Sequence, residues 1–309
     1  MTSLRIAVLG AAAGGGFPQW NAHSEACKRA RAGDPAAPAR TQASIAVTAD
    51  GERWVLINAS PDLRQQILAN PPLWPRAGLR SSPIAAVVLT NGDVDAVAGL
   101  LHLREGTPFA LYAHDRVLNV LGQNPIFEVV SRTLVPRRAL PVDVPLMLAD
   151  AAGQPLGLRL TAFLAPGKLP LWLETEGPVE TAALHGDTLG LELEAGGKRL
   201  VYLANCARIT EALRERVLGA DLLLMDGTLW RDDEMIRQGV GAKTGARMGH
   251  VSMSGPEGAI QRLAGLPIGR RLFSHVNNTN PAILEDSPER RELRAAGWEV
   301  AMDGQEILL

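Results

Sequence analysis

Three aliphatic runs in this sequence end in residues that can bind a metal ion. The run AAVVL leads into Thr90-Asn91-Gly92-Asp93-Val94-Asp95. The run DLLLM ends in Asp226-Gly227-Thr228, and RRLFS ends in His275, followed by Val276-Asn277-Asn278-Thr279-Asn280-Pro281. Two carboxylates at a spacing of two, a third carboxylate and an imidazole form a set of hard and borderline donors. In open α/β sheets functional groups gather beyond the carboxyl ends of strands, where loops begin. Each residue also has an ordinary alternative. Asp95 precedes a predicted helix, where aspartate is a common N-cap. Asp226-Gly227 is also turn chemistry, and a lone histidine is more often structural than a ligand. The recurrence of three such strand ends in one chain carries the functional reading.

The other chemistry-bearing residues sort by context. His250 lies in Gly249-His250-Val251-Ser252-Met253-Ser254-Gly255, ahead of a predicted helix with Ser252 or Ser254 as its cap, and is placed to line a pocket. His185 precedes a strand and is a weaker candidate. His102 reads as a helix-face residue, and His23 and His114 have no partner motif. The glycine cluster 10–16 does not fit GxGxxG, and no Gly-Lys-Ser/Thr completes a phosphate loop. It reads instead as a tight turn that brings Phe17-Pro18-Gln19-Trp20-Asn21 close to the core. No GxSxG elbow occurs, so the α/β type of serine hydrolase has little support. Cys27 and Cys206 are too few for a disulfide framework and form no CxxC, so both are expected as unpaired, metal-free thiols.

These residues need strands to position them. Short β-branched or aliphatic runs predict strands at 4–9, 44–48, 54–57, 85–89, 109–113, 189–194, 200–203, 221–225 and 271–274. Helical patterns fall at 62–68, 97–104, 116–123, 209–218, 256–263 and 288–296. Two strand pairs are joined by the turns Ala49-Asp50-Gly51-Glu52 and Ala195-Gly196-Gly197-Lys198, which predicts hairpins. Hairpins mixed with strand–helix units argue for α/β layers with mixed sheets. Residues 28–39 read as a surface loop, and 166–178 as a loop that folds over something. With no repeat and no linker, 1–309 reads as a single domain.

Composition narrows the classes. Of 309 residues 46% are hydrophobic and 21% charged, with a formal net charge of −2. A buried core is therefore expected, with no broad electrostatic footprint for nucleic acid. A small-molecule or peptide partner is the expectation. No apolar stretch approaches the roughly 20 residues of a membrane span. The amino terminus lacks the apolar core of a secretory signal, so a cytoplasmic protein is expected.

Six segments together resemble one family. They are GGGFPQWN from Gly14, Ala59-Ser60-Pro61-Asp62, Leu89 to Asp95, Met225-Asp226-Gly227-Thr228, Met248 to Gly255, and HVNNTNP from His275. Their content and order resemble the pyrroloquinoline quinone biosynthesis protein B family, part of the metallo-β-lactamase fold superfamily. The resemblance implies an αββα sandwich with a site at one edge, between two mixed sheets. The superfamily motif His-x-His-x-Asp-His corresponds here to Asn91, Asp93, Asp95 and Ala96. Asn91 and Asp93 stand where the first two histidines would be, and Ala96 where the resemblance implies a ligand histidine. Restoring histidine at 96 is expected to strengthen iron binding and leave the metal-free fold unchanged.

The resemblance further implies Asp93, Asp95 and His275 as metal ligands. Asp226 becomes a ligand or nearby base, Asn91 and His250 pocket groups, and Asp62 a more distant orienting group. It implies Fe(II), with zinc as the alternative. The implied reaction is oxygen-dependent hydroxylation of the tyrosine ring in a cross-linked glutamate–tyrosine precursor, alongside other quinone-biosynthesis proteins. The competing readings are a non-catalytic carrier of the quinone and a zinc hydrolase. Some relatives carry a cysteine cluster after Gln-Trp-Asn; here Cys27 is a single thiol, so no structural zinc is expected there.

Overall fold

The computed structural model describes residues 3–174 and 180–309. Among these residues, fourteen strands make two seven-stranded mixed sheets. The first contains β1 (Arg5–Gly10), β2 (Ser44–Thr48), β3 (Trp54–Ile57), β4 (Ile84–Val88), β5 (Ala110–Ala113) and β6 (Arg137–Ala139). The second contains β7 (Leu146–Ala149), β8 (Pro155–Leu164), β9 (Leu189–Ala195), β10 (Lys198–Leu203), β11 (Leu222–Asp226), β12 (Arg270–Ser274) and β13 (Glu299–Val300). The last strand, β14 (Glu306–Leu308), returns to the first sheet, giving the orders β14-β1-β2-β3-β4-β5-β6 and β13-β12-β11-β10-β9-β8-β7.

The long aliphatic runs exist because central strands are covered on both faces. Along β10, Leu200 and Tyr202 enter the core between the sheets, while Val201 and Leu203 enter a second core on the outer face. In β11, Leu222 and Leu224 face inward, and Leu223 and Met225 outward. The first sheet repeats the arrangement: Val88 packs toward the other sheet, whereas Val87 meets Leu63, Leu100 and Val117 on the outer side. The result is an αββα sandwich with helical layers outside both sheets.

Both predicted hairpins form, since β2 with β3 and β9 with β10 are antiparallel. Beyond them, β3–β4–β5–β6 and β10–β11–β12–β13 run parallel. The parallel neighbours β11 and β12 end at the same edge of their sheet, and the 2.9 Å contact of His275 with Asp95 shows that the residues after β4 in the facing sheet meet them there.

Several local expectations fail. Within 28–39, residues up to Arg31 belong to a helix, Glu25–Arg31, because the Ser24 hydroxyl caps Cys27 N at 3.3 Å and Cys27 anchors it in the core. The helix predicted from 97 starts earlier, as Val94–Val97, and tightens into 3₁₀ turns over Ala98–Leu103. The helix predicted at 256–263 is only Ala259–Arg262, with Gly258 at its N-cap; Ser254 instead donates to Trp230 O at 2.7 Å. Strands β6, β7, β8, β13 and β14 have no counterpart in the sequence reading.

Candidate metal centre

The turn after β4 is held by side chain-to-backbone bonds. Asn91 Oδ1 accepts from Asp93 N at 2.9 Å, while its Nδ2 donates to Asn205 Oδ1 at 3.1 Å. The helix Val94–Val97 then starts at Asp93, whose carboxylate makes no capping bond, and Asp95 lies in its first turn. Asp95 is thus not the N-cap, and its Oδ2 stands 2.9 Å from His275 Nε2. Above it runs the glycine turn. Gly15 and Gly16 have φ of +91° and +71°, which lets Phe17 dive into the core. Gly14 passes close enough that a Cβ would lie 3.7 Å from Asp95 Oδ2.

On the other sheet, β11 ends at Asp226, which is fully buried. Its Oδ1 accepts from Thr228 N at 3.0 Å and from the Thr228 hydroxyl at 2.7 Å. Its Oδ2 accepts from Cys206 N at 2.9 Å and from His250 Nδ1 at 2.7 Å. Gly227 is required between them, because a Cβ would meet Ser274 O and Met253 Cε at 2.8 Å. His250 arrives from a different segment: the short helix Gly245–Met248 ends on Gly249 in the left-handed region, turning the next residue inward. His275 follows β12 with φ of +58°, an uncommon backbone state for a residue with a Cβ. The His250 and His275 rings stack with centroids 5.2 Å apart. Asp226, His250 and His275 offer ligand atoms all within 4.8 Å of one another.

A cavity of about 820 Å³ opens over this cluster. Asp93, Asp95, Thr228, His250 and His275 form its polar floor, and Leu171, Trp172 and Met248 contribute apolar surface. The described part of the predicted 166–178 loop does fold over the site; its residues beyond 174 lie outside the described residues. Leu171 N donates to Asp93 Oδ1 at 3.2 Å, and Trp172 Nε1 to Gly92 O at 3.2 Å. Glu174 ties the loop down, accepting from Lys168 Nζ at 2.8 Å and Arg247 Nη2 at 3.0 Å. Burial alone would raise the Glu174 carboxyl, but these cations outweigh it and hold it at about 2.

The floor is strongly coupled. Burial, helped by the adjacent Asp95 charge, pushes Asp93 up to about 6. Burial also opposes charge on Asp95 and His275, yet their mutual hydrogen bond prevails, lowering the carboxyl and raising the imidazole.

The structure therefore brings Asp93, Asp95, Asp226 and His275 to one place, with Asp226 just behind the cavity lining. His250, expected only as a pocket group, joins the potential donors. Asn91 is buried behind the wall rather than lining it. Asp62 is more remote: its Oδ2 accepts from Gln42 N and Nε2 at 2.9 and 3.0 Å, and Gln42 Oε1 in turn accepts from Gly15 N at 3.1 Å. Ala96 is 3% exposed and abuts a void of about 10 Å³ shared with Asn58, Tyr202 and Asn205. Thr228, Lys168 and Trp172 were not singled out as site residues from the sequence. Only the DGT tripeptide offered a signal for Thr228. Cys27 and Cys206 are free thiols, both buried.

Residues 53–276 match the Beta-lactamase superfamily domain. Coenzyme PQQ synthesis protein B of Gluconacetobacter diazotrophicus is 55% identical over 303 residues, covering 98% of both chains. The same-named protein of Xanthomonas oryzae pv. oryzae is 54% identical over 306 residues, covering 99% of this chain and all of its own. The crystal structure of Zn(2+)-bound PqqB from Methylobacterium extorquens superposes with a TM-score of 0.94 at 53% identity, covering 99% of this chain and 100% of that one. A diphosphatase of the PhnP family, 21% identical, shares the fold with a TM-score of 0.67. With its metallo-β-lactamase fold and near full-length identity to these relatives, the chain belongs to the coenzyme PQQ synthesis protein B family.

Proposed function

We propose that this chain acts in PQQ synthesis as an Fe(II)- and dioxygen-dependent hydroxylase of the tyrosine ring in a cross-linked glutamate–tyrosine precursor. The observation that carries the reading is the donor set at the cavity floor: His250 and His275 with Asp95 and Asp226 around them. Two imidazoles with a carboxylate, and room beside them for other ligands, suit non-haem Fe(II). Asn91 and Ala96 remove imidazoles that a two-zinc hydrolytic centre would use to hold its ions. The residues present therefore fit one metal ion, held by His250, His275 and Asp95, with Asp226 bonded behind the two rings. Bound Fe(II) would supply the redox chemistry that lets dioxygen react with a closed-shell aromatic ring.

The chain's own groups have separable tasks. Leu171, Trp172 and Met248 give the ring an apolar wall, and Lys243 places a cation on the same cavity for a substrate carboxylate, Lys168 being engaged by Glu174. Asp93, with its carboxyl at about 6, is poised to take a proton from the ring near neutral pH. In the overall balance one oxygen atom replaces a ring hydrogen as hydroxyl. The other leaves as water, using two protons and two electrons from an added reductant.

A zinc-dependent hydrolase is the second reading, favoured by the zinc-bound state of the M. extorquens relative. The test is anaerobic loading with Fe(II) and the precursor, followed by air-saturated buffer with reductant. Precursor-dependent oxygen uptake with a product one oxygen heavier is expected. Turnover under nitrogen with zinc would favour the hydrolase, and binding of the quinone without turnover would favour a carrier.

A further inference from the structure

We propose that Thr228 is a positioning residue through which one buried carboxylate, Asp226, orients both site histidines. The inference rests on the reading that His250 and His275 face a metal ion. Asp226 reaches His250 directly, Oδ2 to Nδ1 at 2.7 Å, but makes no hydrogen bond to His275. The gap is bridged by the Thr228 hydroxyl, 2.7 Å from Asp226 Oδ1 and 2.8 Å from His275 Nδ1. It also lies 3.0 Å from His250 Nδ1.

The donor roles follow from elimination. A carboxylate oxygen accepts, so His250 Nδ1 carries the hydrogen it gives to Asp226. For the same reason the single hydroxyl hydrogen of Thr228 points at Asp226 Oδ1. Only lone pairs of the hydroxyl then remain for the imidazoles, so His275 Nδ1 must also be a donor. Both rings are thereby fixed with hydrogen on Nδ1, which leaves each Nε2 as the atom able to bind a metal. In the metal-free chain His275 Nε2 also carries a hydrogen, given to Asp95 Oδ2 at 2.9 Å, and a metal ion would take that hydrogen's place. Carboxylate–histidine pairing is a usual way to set ligand tautomers; here one carboxylate serves two rings, one of them through a hydroxyl. Asp226 is held for the task by Cys206 N and Thr228 N, and Gly227 lets the turn close without a Cβ clash.

The experiment compares Thr228→Val, which keeps the shape and removes the hydroxyl, with Thr228→Ser, which keeps the hydroxyl. Zinc is the probe, its affinity measured by chelator competition, and ring protons are followed by ¹⁵N–¹H NMR on the metal-free protein. Valine should weaken zinc binding roughly 10- to 100-fold and abolish the His275 Nδ1–H signal, while the His250 signal persists through Asp226. Serine should restore both to near the parent values. If Thr228→Val does not fold, Thr228→Ala is read the same way. Retention of the His275 Nδ1–H signal or of parental zinc affinity in the hydroxyl-free variant would overturn the proposal. If zinc leaves the ring signals of the parent unmoved, the metal reading fails instead, and the metal-free spectra still decide the role of Thr228.

Discussion

Glu234 gives the protein a pH-dependent stability that a single substitution should remove. Its side chain is 5% exposed and bridges two loops beside the site. Oε2 accepts from Trp230 N at 2.8 Å, and Oε1 accepts from the Thr279 hydroxyl at 2.6 Å. Burial outweighs these donors and pushes the carboxyl up from its ordinary 4.5 to about 7. Between those values the folded chain holds a proton that the unfolded chain has lost. Unfolding therefore becomes easier as pH rises through this window, and the effect levels off above the folded value. At about 1.4 kcal/mol per tenfold change in proton affinity, the upper bound is about 3 kcal/mol. Glu234→Gln keeps the shape: its carbonyl can still accept from Trp230 N, and its amide can donate to Thr279. Urea denaturation should show parent and variant equally stable near pH 4.5. By pH 8 the variant should be more stable by up to about 3 kcal/mol. Asp93 and Asp303, each raised to about 6, slope the same way in both proteins and cancel in the difference. Parallel stability curves for the two proteins would refute the reasoning.

Ala96→His should raise Fe(II) affinity, but its effect on the metal-free protein differs from the sequence-based expectation of an unchanged fold. The adjoining void of about 10 Å³ is far too small for an imidazole, so overpacking should cost about 1–3 kcal/mol and lower the metal-free melting temperature. Unchanged iron affinity would exclude position 96 as a ligand position. Trp172→Ala removes the bond to Gly92 O and part of the apolar wall, so KM should rise roughly tenfold, the equivalent of about 1.4 kcal/mol, with little change in melting temperature. An unchanged KM would detach the loop from substrate binding. Native protein should show no thiol reactive to a disulfide reagent and two after denaturation, because Cys27 and Cys206 are buried and burial beside Asp226 pushes the Cys206 thiol up. A fast-reacting native thiol would contradict this placement.

The sequence revealed those parts of the fold that rest on continuous runs of buried residues. Strands β2 and β3 were located to the residue, because both are buried at every position. Strand β8 escaped because it opens on Pro155 and contains Gly157 at φ of +70°, both signals of a break. β6, β13 and β14 have three, two and three residues, too few for any period to show. In the site, Asp93, Asp95, Asp226 and His275 were legible because each follows a recognisable strand. The pairing of His250 with Asp226 was not, since it depends on a left-handed turn at Gly249 that returns the chain across 24 residues. The Lys168–Glu174–Arg247 tie was equally hidden, being formed between a loop and a short helix without a shared pattern.

The two halves of the site differ in how freely they can answer a ligand. On the side of β11 and β12, Asp226 accepts four hydrogen bonds, and His275 is held by Thr228 and followed by Val276, whose backbone bonds to Ala11 and Ala13. Shifting any of these groups leaves a buried polar atom without a partner, at about 1–3 kcal/mol each. On the side of β4, Asp93 accepts a single 3.2 Å bond among the described residues, and it comes from Leu171 on the overlying loop. A substrate that engaged Asp93 would compete with that bond directly, while the histidines stayed fixed. On the proposed reading, adjustment to different ligands would fall to Asp93 and the 166–174 loop, with the more densely bonded second sheet as the frame against which a metal and substrate would be aligned.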